Sequence, residues 1–279
     1  MDINTAETIA MATDSLGDVL KDIEMKAAII TKTLLPEKSS KLYDKHYTDF
    51  MEWKLRRNIS SFSENVLLVY FEELSNKLKS STLWSRYSIL KTTIYLNHKV
   101  DISCFGKLKA FLRRKSKGYL KKKSKTFSKK EIERFINEAP DENYLMIKVV
   151  LIFGVMGACR KHELYEMQFN NVKDQASCLI VTVPNTKTKT GRNFTITGKY
   201  YDTCKKYINM RPKTCDSPSF FLNYIKGQCI SLKVGKNKFG MMGKQIATYL
   251  NIPNPGAYTG HCFRRTSATV LPNANSDSE

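Results

Sequence analysis

The sequence predicts a mainly α-helical chain of two domains, the second carrying a β-hairpin. Three observations lead there. The chain has 279 residues, a length that favours about two domains at roughly 150 residues each. Hydrophobic residues make up 42% and aromatic ones 11%, enough apolar surface for packed cores and too much for wholesale disorder. Apolar residues recur at helical spacing on both sides of a lysine-rich stretch and switch to a period of two only once. The boundaries drawn from this pattern are an acidic segment at 1–30, a helical domain at 31–115, a basic linker at 116–127 and a second domain at 128–279.

In the first domain, Ser61 to Leu78 opens with Ser61 and Glu64 at capping-box spacing. It places Val66, Leu67, Tyr70, Phe71, Leu74 and Leu78 on one face. Ser81 to Asn97 follows, with Leu83, Tyr87, Leu90 and Ile94 as its apolar stripe. Its other face carries Ser85, Arg86, Ser88, Lys91 and Thr92, short polar and cationic side chains that suit either solvent or a phosphate backbone. Residues 116–127 hold Gly, Ser and Lys with little periodicity and read as the linker. Ser128 and Glu131 form a second capping box, ahead of Ile132, Phe135 and Ile136. Asn143 to Gly157 is apolar nearly all round, so this helix belongs inside a core. Cys178–Val183 and Arg192–Thr197 read as two strands joined by the turn-rich PNTKTKTG. Three more helices are expected at Tyr200 to Met210, Lys238 to Leu250 and about Thr259 to Leu271.

Lys and Arg number 46 against 26 Asp and Glu, a formal charge of +20. That excess points to a polyanionic partner. A membrane is the weaker option, because the most apolar run, Val149 to Cys159, is too short to span a bilayer. The first 25 residues hold six acids and one lysine, so no secretory signal is expected. The seven cysteines are scattered with no CxxC pair, so neither a disulfide framework nor a metal site is expected, and no cofactor is implied. Lys107 to Lys130 holds twelve basic residues and no acid. Arg113, Arg114, Lys121, Lys122 and Lys123 within it, with Arg86 and Lys91 upstream and Lys187 in the hairpin loop, are the candidate nucleic-acid contacts. The stretch RRKSKGYLKKKSK also has the composition of a nuclear import signal, so a nuclear location is expected.

Three segments of the second domain carry the chemistry. Gly157 to Leu164 reads G-x-x-R-x-x-E-L around Arg160, the hairpin loop offers Lys189 in K-T-G, and His261 and Arg264 form H-x-x-R after a Thr-Gly turn. In this order the set resembles the tyrosine recombinase, or phage integrase, family. GACRKHEL, TGHCFRRTSAT and STLWSRYSILKTT look closest to the Crypton-type recombinases of eukaryotic mobile elements. The resemblance implies a helical, SAM-like core-binding domain followed by a mixed α/β catalytic-type domain with a β-hairpin, acting on double-stranded DNA and assembling as several copies on it. The two domains would then close on the duplex as a clamp. It also implies roles: Arg160 and Arg264 clamping the scissile phosphate, His261 hydrogen-bonding it or moving a proton, and Lys189 protonating the leaving oxygen. Guanidiniums stay charged at every working pH and offer two parallel donors to a phosphate, so the scheme needs no metal. Each residue has a plainer alternative. Arg160 beside Glu163 could be an ordinary ion pair, Lys187 competes with Lys189, and Arg265 with Arg264.

The family's nucleophile is a tyrosine beyond the second arginine. Here the last tyrosine is Tyr258, ahead of His261, and fifteen residues follow Arg264. The expectation is therefore a C-terminally truncated relative that binds DNA without strand transfer. Two alternatives stay open: an active or trans-complemented recombinase, and a basic module for protein or RNA.

Overall fold

The computed structural model describes residues 22–23, 25–27, 29–30, 39–120, 122–184 and 191–270. The chain divides into two compact units, 1–121 and 122–279.

Among the described residues, four helices build the core of the first unit: α1 Ser40–Leu55, α2 Glu64–Ser75, α3 Ser80–His98 and α4 Gly106–Lys115. Their apolar faces meet in one core around Phe50, Leu67, Phe71, Leu83, Leu90, Ile94 and Leu108. Burying side chains of this size is worth about 1.5–3 kcal/mol each, which is what holds short helices with modest propensity together. The helix α2 begins later than the serine-glutamate spacing suggests. Ser63 is its N-cap, and the Glu64 Oε1 instead accepts the backbone N–H of Leu108 at 3.1 Å. Glu64 thus caps the start of α4, not of its own helix.

The second unit is built around α6 (Asp141–Met156), whose residues Leu145 to Val155 are all buried. It follows α5 (Lys129–Glu138), which opens with the expected capping box. The Ser128 N–H donates to Glu131 at 2.7 Å and the Glu131 N–H to the Ser128 hydroxyl at 3.2 Å. After α6 come a short α7 (Lys161–Glu166) and a three-stranded antiparallel sheet in the order β1 (Val172–Asp174), β2 (Cys178–Val183), β3 (Arg192–Thr197). The two long strands have the bounds the alternation predicts, with Leu179, Val181 and Val183 facing the core. Then follow α8 (Gly198–Asn209), a second hairpin of β4 (Leu222–Ile225) and β5 (Gln228–Lys233), α9 (Lys236–Tyr249) and α10 (Cys262–Val270). The expectation of a single hairpin is corrected here. The β4–β5 turn places Lys226 at φ 48° and Gly227 at φ 78°, the two positive angles that a tight right-twisted hairpin requires.

The linker reading also needs correction at its C-terminal end. Phe127 is buried and stacks on Tyr258 at 4.5 Å between ring centroids. The Lys125 N–H donates to the Ala257 carbonyl at 2.9 Å, and the Phe127 N–H to the Thr266 hydroxyl at 3.0 Å. Residues 124–127 are thus a strap of the second unit that helps to seat α10. On its other side α10 packs on α6. There a methyl on Gly154 would lie 2.6 Å from Phe263 Cβ, so only glycine allows the two helices this close. Tyr258, buried beneath the strap, packs at the turn leading into α10.

Candidate phosphate-binding site

The C-terminal end of α6 sets the position of every charged group at the site. Its last carbonyls have no partner within the helix and carry its negative partial charge. Ala158 follows in the left-handed region at φ 45°, a conformation that costs a non-glycine residue about 1–2 kcal/mol. This kink directs the Ala158 carbonyl to Arg264, whose Nη1 donates to it at 2.9 Å. The carbonyl of Gly157 accepts two bonds from Arg192, from Nη2 at 2.9 Å and Nε at 3.2 Å. Arg160 then caps α7. Its backbone N–H donates to Glu163 Oε2 at 3.0 Å and its Nη1 to Glu163 Oε1 at 2.8 Å.

Glu163 joins these pieces. Its side chain is 3% exposed, yet it is ionised between two guanidiniums, with Arg192 Nη2 at 2.7 Å from Oε2. Burial alone would raise its pKa, but the hydrogen bonds from Arg192 and Arg160 outweigh it and hold the carboxyl down at about 2. Cys159 lies beside this cluster and is buried; desolvation pushes its thiol up to about 12, so it is a packing group and not a nucleophile.

Arg160 and Arg264 are therefore brought to one turn, the first with its side chain 32% exposed and the second half-buried. His261 lies just before α10 and is exposed. Lys187 and Lys189 lie outside the described residues, as does Lys121. In the first unit Lys91 is exposed on α3, and Arg113 and Arg114 are exposed in the last turn of α4. Lys122 and Lys123 are exposed in irregular chain. Arg86 differs from the open polar face the sequence suggests. It turns inward, 14% exposed, and Nη1 donates to Asp49 at 2.8 Å. Its side chain reaches a carboxylate on α1 that helical spacing within α3 cannot reveal.

The functional residue that sequence reasoning missed is Arg192. It opens β3 directly after the lysine loop, and its signal is a basic residue at a half-buried position of an otherwise alternating strand. Among the described residues no group of three or more His, Cys, Asp or Glu could hold a metal ion. No described helix is long and apolar enough to cross a membrane.

Residues 125–279, which contain Arg160, Glu163, Arg192, His261 and Arg264, match the model of the phage integrase family. The chain belongs to that family. The fold agrees with this assignment. XerH site-specific recombinase bound to its difH substrate superposes with a TM-score of 0.60 at 14% identity, over 86% of this chain and 70% of that one. A lambda integrase dimer bound to a COC' core site gives 0.56 at 12% identity, over 89% and 88%. The Tn1549 transposon integrase in complex with transposon right end DNA gives 0.56 at 17%, over 86% and 82%. No curated protein matches this integrase-family chain by sequence. Identities this low establish a shared fold: a helical unit followed by a mixed α/β unit of the tyrosine recombinase catalytic type.

Proposed function

We propose that this integrase-family chain binds double-stranded DNA and grips a backbone phosphate with Arg160 and Arg264, without forming a covalent phosphotyrosine link by itself. The observation that carries the reading is the convergence of the two guanidiniums on the Ala158–Arg160 turn, each with donors to spare. Arg160 uses Nη1 on Glu163 and Arg264 uses Nη1 on Ala158, and a guanidinium has five N–H donors. A phosphodiester oxygen is the ligand that suits two forked cations in a partly desolvated turn. His261, exposed at the adjoining turn, is free to add a hydrogen bond. Lys189 is assigned the proton-donor role on the strength of its motif, and the resemblance to Crypton-type recombinases supports a mobile-element origin and assembly of several copies on DNA. The basic run at 113–125 supports a nuclear location. The seat of Tyr258, buried against Phe127, leaves that hydroxyl no role as the attacking group.

The test pairs equilibrium binding with a trapping assay. Duplex binding followed by fluorescence anisotropy falls steeply from 50 to 200 mM salt, as counterion release demands, and Arg160→Met and Arg264→Met each weaken it. Binding that ignores salt, or none at low salt, would overturn the DNA reading. On a nicked suicide substrate the chain forms no protein–DNA adduct; a trapped adduct would show that it supplies its own nucleophile.

A further inference from the structure

The glycines beside the site point to one more cation. Lys161 follows Arg160 and opens α7, and it is half-buried. Its stem runs past two glycines from different elements. A methyl on Gly260 would lie 3.3 Å from Lys161 Cδ and 3.3 Å from Gly240 Cα, and one on Gly240 would lie 3.5 Å from Lys161 Cδ and 3.9 Å from Nζ. Gly240 belongs to α9, and Gly260 immediately precedes His261. The lysine is thus threaded where the Arg160 turn, the His261 turn and α9 meet.

Its charge has no counter-ion there. Among the described residues no carboxylate pairs with Lys161. Glu163 is taken by Arg160 and Arg192, and Glu166 faces His162 and Lys233. The cluster therefore sets Arg160, Lys161, Arg192 and Arg264 against a single buried carboxylate. The half-buried stem carries an ammonium that no described carboxylate neutralises, and an incoming anion supplies the missing partner. The glycines also hold the stem, so less side-chain freedom is lost when the ammonium meets a ligand.

We propose that Lys161 is a further phosphate-binding residue of this site, held beside His261 by the close passage of Gly240 and Gly260, with a DNA backbone phosphodiester as its ligand. The assignment rests on the DNA-binding reading above. A lysine supplies a compact point charge with rotatable donors, and it complements the fixed forks of Arg160 and Arg264.

The experiment uses the full chain and duplex DNA in anisotropy titrations across salt. Lys161→Met keeps the apolar stem and removes the charge. One lost phosphate contact lowers the slope of log K against log salt by about 0.9, so the wild-type advantage changes about 3.5-fold between 50 and 200 mM. Lys161→Arg retains the wild-type slope. In parallel, acetylation of wild-type lysines with and without duplex, read by mass spectrometry, shows Lys161 protected by DNA; this needs no variant to fold. A wild-type slope in Lys161→Met, or equal acetylation in both states, would overturn the role of Lys161 while leaving DNA binding intact. Absence of salt-dependent binding by the wild-type chain would overturn both.

Discussion

Replacing Glu163 by Gln tests whether one carboxylate organises the site. Gln keeps the shape of the side chain and imitates the protonated acid. The carboxyl titrates at about 2 in the fold against an ordinary 4.5, a difference worth about 3 kcal/mol. Because the folded pKa is depressed, this stability is fully present above pH 4.5 and is lost as pH falls through 2. At pH 7, Glu163→Gln should therefore unfold about 3 kcal/mol more easily than the parent, and at pH 3 the gap should shrink to roughly half of that or less. Urea titrations followed by far-UV circular dichroism read the loss. The only two tryptophans, Trp53 and Trp84, lie in the first unit, so tryptophan fluorescence should shift less than the dichroism. A variant within 0.5 kcal/mol of the parent at pH 7, or a gap that stays constant down to pH 3, would refute the ionic role assigned to Glu163.

Three further outcomes follow from the same geometry. Arg192→Met removes the principal hydrogen-bond donor to Glu163 and should cost about 2 kcal/mol; its acid unfolding should begin at higher pH than in the parent, as measured by dichroism against pH. Phe127→Ala empties the seat between Tyr258 and Phe263 and should destabilise the second unit by about 3–5 kcal/mol in urea titration. In native thiol labelling read by mass spectrometry, exposed Cys104 should react first, whereas Cys159 and Cys262, both buried and pushed up to about 12 by desolvation, should react only on unfolding.

The parts legible in the sequence are those fixed by local rules. Alternation alone bounds Cys178–Val183 and Arg192–Thr197, and an unbroken apolar run marks α6 as a core helix. Ser128 and Glu131 meet as their spacing predicts. Ser61 and Glu64 have the same spacing and fail, because Ser63 takes the cap and Glu64 satisfies an orphan N–H 44 residues away. Phe127 looked like linker because a single aromatic among lysines has no period, and only the arrival of Tyr258 and Thr266 gives it a core. The site divides in the same way. Arg160 and Arg264 stand in motifs, but the link between them runs through carbonyl groups, and carbonyls leave no trace in side-chain identity. Arg86 pairs with Asp49 across two helices, beyond the reach of periodicity.

Those carbonyls also separate the arginines proposed to bind phosphate from the one proposed to position them. Three guanidiniums gather at the end of α6, where helix termination leaves acceptors that cations favour. Arg192 engages Gly157 through Nε and Nη2 and spends Nη2 again on Glu163, so its face toward the turn is saturated. Among the described residues Arg160 and Arg264 each commit Nη1 alone to the protein, which leaves Nε and Nη2 available to the proposed ligand. The distinction has a measurable consequence. Arg264→Met should lower the salt slope of duplex binding by about 0.9, the signature of one lost phosphate contact. Arg192→Met should weaken binding through a loosened turn while leaving that slope near the wild-type value. Equal slope changes in the two variants would mean that Arg192 also touches the phosphate, and that hydrogen-bond saturation does not separate the two roles.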